Sequence, residues 1–156
     1  MVKRSFKRLV WILEIGVVVN SLGCQGEPND MVSAKGRVTC QGKPLSGVVL
    51  TMEPIGQTKG ASISAPVIFG QFDIGSRIGL RQGTYQVRFS MIPDEIRASI
   101  PPNVSEFVPP RGAAVARRYD TDSQLSWTLN SGDANLQNFE IEILQPPRPQ
   151  NNLNKP

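Results

Sequence analysis

The nine residues Gly83-Thr84-Tyr85-Gln86-Val87-Arg88-Phe89-Ser90-Met91 place Tyr85, Val87, Phe89 and Met91 at every second position, with Thr84, Gln86, Arg88 and Ser90 between them. In an extended chain successive side chains point to opposite faces, so this segment carries one apolar and one polar face. The same period recurs on both sides of it. Upstream, Val32, Ala34 and Val38 alternate with Ser33, Lys35, Arg37 and Thr39; Val48, Leu50 and Met52 alternate with Val49, Thr51 and Glu53; and Phe72 and Ile74 flank Asp73. Downstream, Leu125, Trp127 and Leu129 alternate with Ser126 and Thr128, and Phe139, Ile141 and Ile143 with Glu140 and Glu142. The stretch 60–68 adds a seventh candidate, in which Pro66 points to an edge or a bend because proline cannot donate to a ladder.

Turn residues punctuate these runs. Gln41-Gly42-Lys43-Pro44, Phe69-Gly70, Gln82-Gly83 and Asn130-Ser131-Gly132-Asp133 supply the glycines and proline that reversals need. The expected strands are 32–39, 47–54, 60–68, 71–75, 84–91, 124–129 and 137–144. Short turns and one wet face per strand make the fold all-β, a small antiparallel β-sandwich of about seven strands. Trp127 belongs to its core, as an apolar residue in register with Leu125 and Leu129. Residues 32–144 form the domain, and within it 92–124 is a long excursion containing Pro93, Pro101, Pro102, Pro109 and Pro110. A connection of that length is functional or partly disordered, and any helix in the domain is a short turn inside it. The tail 145–156, rich in Pro and Asn, reads as disordered.

Composition fits one such domain. The chain has 156 residues, 39% hydrophobic and 19% charged, with 13 Pro, 14 Gly and no histidine. Lack of histidine removes a His-based triad, a His general base and a His metal site. Lys3, Arg4, Lys7 and Arg8, against Glu14, account for most of the net charge of +4; from Cys24 onward basic and acidic residues nearly balance. A nucleic-acid partner would need the basic residues concentrated on the folded domain, so none is expected.

Residues 1–23 divide into a basic segment to Arg8, an apolar run over Leu9–Val19 broken by Glu14 and Gly16, and a small or polar segment ending at Gly23. This is the layout of a secretory signal helix, and the run is shorter than the roughly 20 residues of a membrane span. Ser21-Leu22-Gly23-Cys24 resembles the lipobox of bacterial lipoproteins, with Ser21 standing where Leu is usual. The resemblance implies cleavage between Gly23 and Cys24 and attachment of a diacylglycerol, with acyl chains such as palmitate, to Cys24. Gln25, rather than Asp, implies the outer membrane by resemblance to lipoprotein sorting in enterobacteria. Residues 24–31 then form a polar, flexible tether. The alternatives are an ordinary signal peptide or an uncleaved anchor, with Cys24 a plain thiol. If Cys24 is acylated, Cys40 is a lone, half-buried structural thiol; if not, the two could form a disulfide.

Gly42-Lys43-Pro44-Leu45-Ser46-Gly47-Val48 resembles the hairpin of carboxypeptidase-regulatory-like domains, Gly70-Gln71-Phe72-Asp73-Ile74 a strand start of that family, and Leu80-x-x-Gly83-Thr84-Tyr85-Gln86-Val87 its next element. The three, in order over about residues 32–91, imply a transthyretin-like fold. Tyr119, Asp122, Ser123, Leu125, Asn138 and Phe139 resemble the ending of short lipoproteins of planctomycete-type bacteria. Transthyretin-like folds include hydroxyisourate hydrolases, which resemble a His- and Arg-dependent hydrolase; without histidine or the Tyr-Arg-Gly-Ser ending that activity is excluded here.

No cofactor and no metal are expected. Asp120 and Asp122, or Asp94 and Glu95, are too few oxygens for a calcium site, and no Cys/His cluster suits zinc. Cys40 and the serines lack a partnering base. Arg117-Arg118-Tyr119 is a basic-aromatic cluster and the candidate ligand contact, for phosphate or polysaccharide. The reading is a non-catalytic envelope lipoprotein, held to the membrane by its lipid and facing the periplasm or cell surface, with a structural or interaction role toward envelope proteins or surface polysaccharide. The alternative is a lipoprotein that binds a carbohydrate or peptide through 92–124. An exposed aromatic patch or a deep cleft beside the excursion would favour the alternative.

Overall fold

The computed structural model describes residues 30–99 and 105–146. The signal segment 1–23 with its expected helix, the Gly23-Cys24 cleavage site, the tether as far as 29 and the tail from 147 lie outside the described residues. In chain order the strands are β1 (Ala34–Cys40), β2 (Lys43–Pro44), β3 (Val48–Pro54), β4 (Ile63–Val67), β5 (Gln71–Ile74), β6 (Gly83–Met91), β7 (Ala114–Val115), β8 (Ser126–Leu129), β9 (Leu136–Glu140) and β10 (Ile143–Leu144). One short helix, α1 (Asp94–Arg97), and 3-10 turns at Ser76–Ile78 and Arg117–Tyr119 complete the described residues.

The protein is an all-β sandwich. One sheet has the order β4-β3-β6-β8, antiparallel throughout. In the other, β1 lies between β5 and β9, with β2 folded back against its end. A short β7–β10 ladder joins the excursion to the last strand of the described residues. Pro66 sits on β4, at the edge of its sheet, where its missing N–H leaves no central ladder broken.

The alternation of β6 is realised as burial: Tyr85, Val87 and Phe89 are fully buried, and their cross-strand partners on β3 include Met52 and Leu50. Across the sandwich, Phe139 of β9 meets Phe89 of β6 edge-on with centroids 5.2 Å apart, and lies 6.1 Å from Trp127 and 6.2 Å from Phe72. These tilted and edge-to-face pairs bind the two sheets. Tyr85 is the polar exception in this core. Its hydroxyl donates to the Arg81 carbonyl at 3.0 Å and accepts from the Arg81 N–H at 3.2 Å, the arrangement of a tyrosine corner.

One pairing departs from the antiparallel expectation: β1 and β9 run parallel, from Lys35 opposite Leu136 to Thr39 opposite Glu140. The segment 130–135 crosses from one sheet to the other instead of folding back. Asn135 fixes this crossing. It is buried, has a positive φ of 40°, donates from Nδ2 to the carbonyls of Ser33 (3.1 Å) and Asn130 (3.0 Å), and accepts from the Asn130 N–H at 2.9 Å. Asparagine tolerates the left-handed conformation, and its amide ties the backbone of Ser33, before β1, to that of Asn130, after β8. Asn135→Ala is therefore expected to cost about 2 kcal/mol, since it removes three part-buried hydrogen bonds with a net worth of about 0.5–1.5 kcal/mol each, of which water restores some; urea denaturation measures it, and an unchanged midpoint would refute the clasp.

The Gln41-Gly42 turn closes the β1–β2 hairpin, and the Phe69-Gly70 turn, under a single Ile68–Gln71 bridge, carries the chain from β4 to β5 of the other sheet; all four residues have positive φ (54°, 71°, 55° and 69°). That is the geometry of two-residue type I′ turns, which match the twist of the flanking strands. The expected strand 137–144 is split into β9 and β10, because after Ile141 the chain leaves β1 to pair with β7.

The strand directions define two poles. The start of β1, the end of β3, the start of β6, the end of β8 and the start of β9 share the pole where the chain emerges from residue 30, called proximal here. The Gln41-Gly42 and Phe69-Gly70 turns, α1 and the end of β6 occupy the distal pole. The described part of the excursion packs on the sandwich. Val115 and Ala116 are buried, the Phe107 N–H donates to the Pro44 carbonyl at 2.8 Å, and Arg97 lies over Gly47.

Candidate functional site

Arg117, Arg118 and Tyr119 are brought together in one 3-10 turn, as their adjacency requires. Their charges are already matched. Arg117 pairs with Asp122 at 3.0 Å, and Arg118 pairs with Glu142 at 2.7 Å. The Arg118 guanidinium also stacks 5.0 Å above the Tyr119 ring, which is half-buried against the core. The turn is a capped surface cluster, with its aromatic face covered.

Beside it, Cys40, Gln41, Arg118, Tyr119 and Glu140 help line a hollow of about 330 Å³. Cys40 is buried rather than half-buried. Burial pushes its thiol up from 9.0; a backbone hydrogen bond from Ile143 works the other way, and the Glu140 and Glu142 carboxylates add to the rise. Such a thiol is a weak nucleophile. The Glu140 carboxylate is lowered from 4.5, chiefly by the Thr39 hydroxyl that it accepts, with the N–H groups of Gly42 and Gln41 assisting against desolvation. A depressed carboxylate stabilises the fold above its unfolded pKa, and that contribution is lost as pH falls through the folded value. Thr39→Val is therefore expected to reduce stability at neutral pH slightly and to narrow the gap from wild type below pH 4.5; denaturation midpoints at several pH values check it, and a gap independent of pH would refute it.

Of the four acids considered for calcium, Asp122 is paired with Arg117 and Asp94 with Arg97 and Arg111. Among the described residues no three His, Cys, Asp or Glu side chains converge. Buried hydroxyls serve the backbone: Ser123 donates to the Val87 carbonyl at 2.6 Å, and Ser46 accepts from the Phe69 N–H at 2.7 Å.

The distal pole carries a feature that the period-two pattern does not single out. Phe69 is 50% exposed, and it is the exposed aromatic residue among the described residues. It is held left-handed at the tip of its turn, a costly conformation for a bulky residue. Ile68 beside it and, from the excursion, Ile96 and Val108 are exposed as well. The sequence signal is the break in alternation at Val67-Ile68-Phe69, three apolar residues in a row against a glycine. Close by, Asp94, Glu95, Arg97, Val108, Pro109 and Arg111 help line a second hollow of about 340 Å³. Arg97 Nη1 and Glu106 Oε1 are buried in the excursion without hydrogen-bond partners. The aromatic residues of the described excursion, Phe107 and Tyr119, are only partly exposed and pack against the core.

No family model matches the chain, and no curated protein matches it. Among solved structures it is similar to a DUF3823 family protein from Parabacteroides merdae, with 19% identity over 74% of this chain and a TM-score of 0.34. The chain spans about half of that protein, 48% of its length.

Proposed function

We propose that the protein is a non-catalytic, membrane-tethered module of the cell envelope, acylated at Cys24, whose role is to contact other envelope components. The observation that supports this best is the distal pole. There Phe69 is held exposed in a strained conformation, with Ile68, Ile96 and Val108 at the same end, opposite the point where the chain emerges. Strain of that kind persists where the surrounding structure enforces it and is concentrated at functional positions. Exposed aromatic residues amid smaller apolar ones are typical anchors of protein contacts. The kinship with carboxypeptidase-regulatory-like and planctomycete-type lipoproteins belongs to the same proposal and rests on the sequence motifs alone.

The reading in which 92–124 binds a carbohydrate or peptide has less support. Tyr119 is capped by Arg118, and the hollow beside α1 is small for a polymer. Photo-cross-linking of the full-length protein in intact cells tests the choice. A cross-linking residue at Phe69 is expected to give discrete adducts with envelope proteins, and the same residue at Arg117 none. Adducts from Arg117 alone would favour the alternative.

A further inference from the structure

We infer that the proximal pole is a lipid-facing surface, on which the 3-10 turn Ser76–Ile78 touches the bilayer; this rests on the proposed lipid anchor at Cys24. Five residues lie between Cys24 and Asp30, so the tether, six steps long, spans at most about 20 Å even when fully extended. The nine residues of β6, which run from the proximal to the distal pole, span about 27 Å. A domain held on so short a tether keeps the pole where the chain emerges near the lipid.

That pole is built like an interfacial surface. Asp30 is pinned to the domain by Arg81 at 2.8 Å, and the Gln82 N–H donates to the Asp30 carbonyl at 2.9 Å, so the chain does not peel away before residue 30. Immediately before Leu80, the segment Gly75-Ser76-Arg77-Ile78-Gly79 projects as a turn with no buried residue. Ile78 is 60% exposed and lies outside the core, and Met31 and Ile55 at the same pole are 46% and 39% exposed. Arg77 and Lys59 are exposed nearby. Of the acids at that pole, Asp30 is taken up by Arg81 and Asp73 by Lys35, leaving Asp133 as the acid there without an ion pair among the described residues. Apolar side chains interspersed with basic ones suit an anionic membrane interface, where the first enter the headgroup region and the second meet lipid phosphates. An open hollow lined in part by Lys59, Gln82 and Asn130 adjoins them.

The test uses the full-length protein purified from membranes and reconstituted into phosphatidylethanolamine–phosphatidylglycerol vesicles that carry a doxyl-labelled lipid. Ile78→Cys and, at the distal pole, Lys43→Cys each receive a thiol-reactive fluorophore; Cys40 is buried and serves as the unlabelled background. Intact mass reports acylation of Cys24 in the same samples. The expected result is a diacylglycerol mass at Cys24, at least twofold quenching at position 78 and none at position 43. An acylated protein with equal quenching, or none, at both positions would overturn the lipid-facing pole and leave the anchor standing. A Cys24 without lipid mass would overturn both.

Discussion

Phe89→Ala is expected to melt roughly 10–20 °C below the wild-type protein, or to fail to fold. The side chain is fully buried on β6, faces Leu50 across the ladder with β3, and meets Phe139 of the opposite sheet at 5.2 Å. Truncating a buried phenylalanine costs about 3–5 kcal/mol, the lost transfer free energy plus the cavity left behind. A small domain has only about 5–15 kcal/mol in all, and each kcal/mol moves the midpoint by several degrees. The cost is expected at the upper end, because the cavity opens between two sheets whose backbones are fixed by their own ladders. Arg117→Ala and Arg118→Ala, at exposed ion pairs, should stay within about 0.5 kcal/mol. Thermal melts of the three variants decide it; a Phe89→Ala protein that melts like wild type while the arginine variants unfold would mean that the core lies elsewhere.

The second large effect is at Gly36, where the apolar alternation of β1 skips a position between Ala34 and Val38. A Cβ there would stand 1.8 Å from the Gln137 carbonyl oxygen and 2.7 Å from Cζ of Phe72. Neither neighbour can yield cheaply. Gln137 is backbone within the parallel β1–β9 ladder, and Phe72 is wedged edge-on against Trp127 at 6.1 Å. Gly36→Val is therefore expected to lose about 3 kcal/mol, the upper part of the usual range for overpacking, by forcing β9 off β1. Gly75→Ala is the contrast, because nothing lies within 4 Å of its Cβ position and its φ of −69° suits any residue. That change should be neutral or gain about 0.4–1 kcal/mol through the unfolded chain. Urea denaturation of the pair provides the comparison, and a Gly36→Val protein as stable as Gly75→Ala would sink the packing argument.

A role for the excursion separate from the scaffold has a structural limit. Val115 and Ala116 are core residues and Phe107 is bonded to Pro44, so removing residues 94–116 would open the sandwich. Function at this end has to be probed by single surface changes, of which Phe69 and Arg117 are the informative ones.

The candidate site was legible in part. Arg117, Arg118 and Tyr119 do stand together, since neighbours in sequence cannot be parted, but that they are matched by Asp122 and Glu142 depended on folding. Asp122 is near in sequence, whereas Glu142 arrives through the β7–β10 ladder. Phe69 was legible as half of a turn; its exposure was not, because an apolar residue beside a glycine reads equally well as buried.

The sequence by itself determined the all-β class, the burial of Tyr85, Val87, Phe89 and Trp127, and the turns at Gln41-Gly42 and Phe69-Gly70. Each of these follows from local chemistry, namely the two-residue period of an extended chain and the conformational freedom of glycine. Only the tertiary structure decided that β9 joins β1 in parallel, that 137–144 divides between two partners, and that Asn135 clasps the crossing. Alternation states which face of a strand is apolar and is silent on which strand lies beside it or in which direction that strand runs. Those choices are made by contacts between residues a hundred positions apart, as Ser33 and Asn135 are, and such contacts exist only once both sheets have closed on the Phe89–Phe139 core.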